Sequence, residues 1–260
     1  VHDLRARYLG QLVEMGERDI VLEGEEVSGE KVREGRRERE GSKGREGREG
    51  LPPAGIVVEG PPAGDDLFAA DPVARLASLE ELAEVVDACR KCALGHSRMH
   101  SVPGEGDPHA RLVVVGEAPG ATEDETGRPF VGRAGQLLTD ILRAIGLERE
   151  QVFICNVLKC RPPNNRDPEP LEVAACSPYL HRQLDLIRPK VILAMGRPAA
   201  HALLGSNASL NDLRGKLHRY RGIPLIVTYH PAALLRNPHW KRPTWDDVRI
   251  ARRILDGQDG

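Results

Sequence analysis

The chain has 260 residues, 29% charged and only 3% aromatic, with a formal net charge of −2. That near-balance excludes a uniformly basic nucleic-acid coat, and no window of about 18 apolar residues exists to span a membrane. The charge is uneven: residues 1–75 hold 12 Lys and Arg against 17 Asp and Glu, whereas residues 76–260 hold 25 against 22. The longer part is therefore mildly basic, which suits an anionic partner.

In chain order, residues 1–22 carry a weak amphipathic pattern (Leu4, Tyr8, Leu9, Leu12, Val13) and no signal-peptide core, which favours a reducing, cytosolic setting. From Glu23 to Gly50 the chain is almost all Glu, Arg, Lys and Gly, with Val27 and Val32 its only apolar side chains. Such a segment buries too little surface to offset chain entropy and is expected to be disordered. The Pro/Gly-rich stretch to Asp71 continues it as a linker. The expected division is an extension, 1–71, and a folded domain, 72–260.

Order is expected from Pro72. Leu76, Leu79, Leu82, Val85 and Val86 recur at helical spacing up to Cys89. Four apolar runs read as strands: Leu112–Val115, Val152–Asn156, Val191–Ala194 and Leu225–Thr228. Helical segments separate them at Gly135–Ile145, Leu171–Ile187 and Pro198–Leu204, and a last helix covers Trp245–Leu255. This alternation predicts an α/β fold with a parallel sheet covered on both faces.

The first strand breaks at Gly116 into a polar, glycine-rich loop holding Glu117, Glu123, Asp124 and Glu125, with Phe130 near its end. Parallel strands bring their carboxyl ends to one edge, where open α/β folds place their sites. Glu117, Asn156 and His230 each follow or end a strand and so can converge there. Singly, each has a plainer explanation: a helix cap, a strand-end cap or a satisfied surface histidine. Cys89 and Cys92 form a C-x2-C pair after a helix, and Cys160 and Cys176 are separated by fifteen residues. Two thiolate pairs in a reducing setting suit zinc or a [4Fe–4S] cluster equally on count. Cys155, inside a strand, reads as a buried small hydrophobe.

The segments GEAPGATEDETGRPFVGRAGQLL, NVLKCRPPNNRDPEP with its following cysteine, and TYHPAALLRN together resemble the type-4 uracil-DNA glycosylases, the iron–sulfur branch of that superfamily. The resemblance runs from about Leu76 to Leu255. It implies a three-layer α/β/α sandwich with a central four-stranded parallel sheet. It also implies a [4Fe–4S] cluster on Cys89, Cys92, Cys160 and Cys176, and a monomer that removes uracil from DNA without cutting the strand. By the same resemblance, Gly116 and Phe130 shape and stack the base, Asn156 reads its edge, and His230 donates to uracil O2. Glu123 is favoured to orient the water, with Glu117 supporting the pocket, and the two acids are open to exchange. In another superfamily group an Asp stands where this chain has Ala118. Leu234 and Leu235 are expected to fill the space left by the flipped base, with Arg236 on phosphate. Lys159, Arg161 and Arg166 are expected beside the DNA backbone. The extension is the expected contact for a repair or replication protein.

Overall fold

The computed structural model describes Gly60 and residues 72–258. These belong to one of two contact units, Ala54–Gly260; the other, Val1–Pro53, lies outside the described residues. The expectations of an amphipathic start, a disordered run and a linker fall almost wholly outside them too.

The strands are β1 (Glu105–Gly106), β2 (Leu112–Gly116), β3 (Phe153–Asn156), β4 (Val191–Met195), β5 (Leu217–Tyr220) and β6 (Ile223–Thr228). The helices are α1 (Leu79–Ala88), α2 (Leu94–Ser97), α3 (Ala121–Thr126), α4 (Arg133–Ala144), α5 (Pro170–Ile187), α6 (Arg197–Leu204), α7 (Leu210–Leu213), α8 (Pro231–Arg236) and α9 (Lys241–Leu255). The sheet order is β1-β3-β2-β4-β6-β5. The four expected strands form its parallel centre. An antiparallel strand closes each edge, β1 on β3 and β5 on β6.

Those two edges escaped the sequence for different reasons. β1 has only two residues, too few to show a period. β5 alternates partly and fully buried residues in a polar Leu-His-Arg-Tyr run that carries little apolar signal.

Period-two alternation builds the three layers. Val113, Val115, Cys155, Ile192, Ala194, Leu225 and Val227 point to one face, against Leu180, Leu184 and Ile187 of α5 and Ala199, Ala200 and Leu203 of α6. Leu112, Val114, Ile154, Leu193, Met195 and Ile226 point to the other, against Leu138 and Leu142 of α4 and Val248, Ala251 and Ile254 of α9. Strands covered on both sides are apolar throughout, which explains why their runs were legible without alternation. A third, smaller cluster joins α1 to the cysteines: Leu82, Val86, Leu94, Leu158 and Tyr179 pack with Cys160 and Cys176.

Candidate active site and cysteine centre

Gly116 ends β2 directly opposite Asn156, the last residue of β3. A Cβ on Gly116 would lie 2.4 Å from Asn156 Oδ1 and 2.5 Å from Phe130 Cζ. Glycine therefore lets the backbone run against both groups, and the phenyl ring and the carboxamide stand within one side chain's breadth of each other. Asn156 is 1% exposed, and its Oδ1 has no hydrogen-bond partner among the described residues. A buried acceptor left unpaired costs about 1–3 kcal/mol, so such an atom asks for a donor from outside the chain.

Phe130 is buried and holds a left-handed backbone, φ 50°. For an aromatic residue that conformation costs on the order of 1–3 kcal/mol and persists only where the surroundings enforce it. Arg149 donates to the carbonyls of Phe130, at 3.0 Å, and of Pro129. The start of α4 passes so close that a Cβ on Gly135 would fall 1.8 Å from Phe130 O.

The His230 ring lies 5.4 Å, centroid to centroid, from that of Phe130. His230 caps α8, its Nδ1 accepting from Ala232 N at 3.2 Å. With Nδ1 an acceptor, the neutral ring carries its proton on Nε2. Burial, reinforced by the charge of Arg236 and opposed by that of Glu123, pushes its pKa down to about 4. At neutral pH it is an uncharged donor, as suits a histidine that polarises an oxygen rather than protonating it.

The two acids differ sharply. Glu123 is bound to the backbone: Oε1 accepts from Val131 N and Gly132 N, each at 2.9 Å, and Oε2 from Gly120 N at 3.1 Å. It braces both ends of the loop that carries Phe130. The carboxylate of Glu117 accepts no hydrogen bond from another described residue. Burial and then the negative charge of Asp167, partly offset by Arg197, raise its pKa to about 7.

The segment after His230 is helical. Leu234 is fully buried, whereas Leu235 is 40% exposed, so only the second leucine of the expected wedge projects outward. Arg236, in the last turn of α8, is exposed beside it. Lys159 also departs from expectation. It is 1% exposed, its Nζ donating to Asn156 O at 2.7 Å and Gln183 Oε1 at 2.6 Å. It ties Asn156 to α5 from inside and presents no charge at the surface. Arg166 is engaged by Glu172 at 2.7 Å, and Arg161 by Asn165 at 2.8 Å.

Cys89 caps the end of α1, Cys92 lies just before α2, Cys160 follows Lys159, and Cys176 sits in α5. All four line one partly open pocket, with Arg98, Lys159 and Tyr179. Three sulfurs receive N–H donors: Cys160 from Arg98 Nη1 at 3.0 Å, Cys176 from Lys159 N at 3.2 Å, and Cys89 from Lys91 N at 3.5 Å. Burial pushes the Cys176 thiol up to about 12. Among the described residues, no three His, Cys, Asp or Glu side chains are grouped to grip a single ion as they stand. The donor set itself is all sulfur, which suits soft metals rather than Mg²⁺ or Ca²⁺. Cys155 is fully buried in β3, as its position implied.

Arg149 and Gly135 carry no sequence signal of their contacts with Phe130 O. Arg149 looks like one more charge in a Glu-Arg-Glu turn, and Gly135 like an ordinary glycine in a helix. Their roles depend on where Phe130 O lies, which no local pattern records.

Residues 103–250, more than half of the chain, match the family model described as the uracil DNA glycosylase superfamily. The chain is 50% identical over 186 residues to the type-4 uracil-DNA glycosylase of Sulfurisphaera tokodaii, covering 68% of this chain and 84% of that one. It is 49% identical over 181 residues to the type-4 enzyme of Thermotoga maritima, covering 68% and 94%. Against the type-5 uracil-DNA glycosylase of Thermus thermophilus the identity falls to 31% over 211 residues, covering 68% and 93%. With the parallel sheet, the loop and the strand-end residues in place, and with type-4 relatives well ahead of type-5 in identity, the chain belongs to the uracil-DNA glycosylase superfamily, in its type-4 branch.

Proposed function

We infer that this chain is a monofunctional uracil-DNA glycosylase that draws uracil out of DNA and hydrolyses its N-glycosidic bond, leaving an abasic site for base excision repair. The observation that carries this reading is that the buried Oδ1 of Asn156, beside Phe130, has no hydrogen-bond partner among the described residues. Uracil presents an N3–H donor next to an O4 acceptor, and a carboxamide answers both. Cytosine presents the reverse pattern and would leave buried polar groups unpaired, which a site of this kind rejects strongly. A base must leave the stack to be read in this way.

Phe130 supplies the stacking face. As the bond to C1′ breaks, negative charge grows on the uracil ring, and His230 donates Nε2–H toward O2. A preorganised neutral donor stabilises that charge without passing its proton to the base. Water attacks C1′, its oxygen bonding to carbon as the C1′–N1 bond breaks and the electron pair leaves with uracil as its anion. The water gives up a proton to the carboxylate that orients it, and the uracil anion takes a proton from solvent on release. Of the two acids, Glu117 is the better suited to orient that water. Its carboxylate is uncommitted and titrates near neutrality, as a general base should. Glu123 keeps the loop in shape instead. Lys159, the lysine beside Asn156, is held in the interior by Asn156 O and Gln183 Oε1, so no imine step is proposed and the strand stays intact. Leu235 enters the space left by the base, where an apolar wedge replaces lost stacking, and Arg236 contacts phosphate.

Cys89, Cys92, Cys160 and Cys176 would hold a [4Fe–4S] cluster, a group that four sulfur donors and N–H bonds onto those sulfurs fit. Its contribution when bound is to fix the segment from Cys160 to Cys176 beside Asn156. A monomer suffices for this chemistry because every proposed side chain comes from one chain. A reducing, cytosolic setting would keep the thiols available, and the extension remains the proposed contact for another repair or replication protein. Among the described residues no helix is long and apolar enough to cross a membrane.

Incubating the protein with an oligonucleotide that carries one uracil tests the reading. Free uracil and an alkali-labile site support it. A denaturation-resistant adduct would point to a covalent uracil-DNA binder, and binding without release to a non-catalytic DNA-binding module.

A further inference from the structure

We propose that Arg149 is a positioning residue for the stacking ring of Phe130, and that Glu105 on the edge strand β1 holds Arg149 to that task. The inference rests on the reading of Phe130 as the platform for uracil. Phe130 needs an external hold because its backbone occupies the left-handed region, φ 50°, which a bulky side chain adopts only under constraint. Arg149 supplies one. Its Nη1 donates to Phe130 O at 3.0 Å, and its Nη2 donates to the preceding carbonyl, Pro129 O. One rigid fork thus grips two successive carbonyls and fixes the peptide plane from which the phenyl ring projects. Lysine has neither the plane nor the paired donors for this.

The other edge of the same guanidinium is fixed in turn. Arg149 Nε and Nη2 meet Glu105 Oε1 at 2.9 and 2.7 Å. Glu105 also accepts from Arg128, at 2.8 Å through Oε2 and 3.2 Å through Oε1. Burial alone would raise the Glu105 carboxyl, yet the hydrogen bonds and charges of Arg128 and Arg149 bring it below its ordinary value. Arg149 is 13% exposed and Glu105 26%, against 62% for Arg128. The inner pair is therefore the shielded one, and charge-assisted bonds of this kind are the stronger sort.

The brace also has a registered origin. Glu105 pairs across the sheet with Ile154, two residues before Asn156. The strand that carries the carboxamide thereby also anchors, through Glu105 and Arg149, the residue that stacks the base. The short antiparallel strand at that edge so acquires a purpose beyond closing the sheet. Glu105 and Arg149 lie 44 residues apart in sequence, which hid the relationship.

The test is a double-mutant cycle. Arg149→Met, Arg149→Lys and Glu105→Gln are each made in the natural chain and in Phe130→Ala. Single-turnover uracil release is measured at limiting and saturating enzyme, and binding to DNA carrying a tetrahydrofuran abasic analogue is measured in parallel. Arg149→Met is expected to slow release about 10- to 100-fold where Phe130 is present and less than about 3-fold where it is not. Arg149→Lys should recover part of the loss. Affinity for the abasic analogue, which has no base to stack, should stay within about 2-fold. An equal loss in both backgrounds, or a parallel loss of abasic-DNA affinity, would overturn the proposal. Should Arg149→Met not melt cooperatively, Glu105→Gln decides, with about a 3- to 10-fold loss that disappears in Phe130→Ala; a loss that persists there counts against the brace. A natural chain that releases no uracil would instead remove the reading of the site itself.

Discussion

Gly116 faces Asn156 across the β2–β3 register so closely that a single methyl group on it would come 2.4 Å from Asn156 Oδ1. The same methyl would press on the Phe130 ring at 2.5 Å. Gly116→Ala is therefore expected to displace at once both groups proposed to hold the base. Uracil release should fall about 100-fold or more, and affinity for abasic DNA should change little. Pre-steady-state release and an equilibrium binding titration check this together.

Asn156→Asp replaces the amide donor with an acceptor while keeping the shape. Uracil O4 would then face a carboxylate oxygen, and release of uracil should drop by about 100-fold or more. A protonated aspartate matches cytosine's N3 acceptor and N4 donor, so release of cytosine should become detectable. Quantifying both free bases from matched oligonucleotides distinguishes a change of specificity from a simple loss.

The pH profile follows from Glu117. In its proposed role as the base that orients water it must be ionised, so the rate should climb as pH rises through about 7. His230, with its pKa near 4, stays neutral over that range and should not shape the limb. Glu117→Gln should abolish the limb together with most of the rate.

The stability consequence of Glu117 has the opposite sign. A carboxyl whose pKa rises from 4.5 to about 7 on folding binds more protons folded than unfolded between those values. Its contribution therefore favours the fold at low pH and is lost as pH rises through that window. Glu117→Gln should stabilise the protein at pH above about 7, by roughly 1–3 kcal/mol. Thermal melts of both proteins on either side of the window check the sign.

Cys160→Ser or Cys176→Ser should abolish the visible absorbance and bound iron of a cluster-loaded protein. Both sulfurs lie in the apolar cluster with Leu82, Leu158 and Tyr179, so loss of the group is expected to loosen the Cys160–Cys176 segment as well. DNA affinity should then fall with salt-sensitive losses. A cluster-free variant with native melting and native DNA affinity would contradict the structural role assigned to the group.

The four central strands were legible because burial on both faces makes each an unbroken apolar run, as in Val113–Val115 and Ile192–Ala194. Glu117, Asn156 and His230 were legible for a related reason: once the strands are parallel, their ends share an edge. What stayed hidden depends on side-chain direction. Helix α8 turns Leu234 inward and Leu235 outward, although the two are adjacent and identical in type. Lys159 looks like a surface charge by composition, yet Asn156 O and Gln183 satisfy it in the interior. Glu123 and Glu117 are alike in sequence, and only the three backbone donors on Glu123 separate a loop brace from an uncommitted acid.

The most direct test of the central claim is product analysis of a single-uracil oligonucleotide incubated in heavy-oxygen water. One free uracil per abasic site, an intact strand and one heavy oxygen at C1′ are expected, with His230→Ala slowing the reaction far more than it weakens DNA binding. No uracil released, a sugar without label, or a His230→Ala rate equal to that of the natural chain would contradict it.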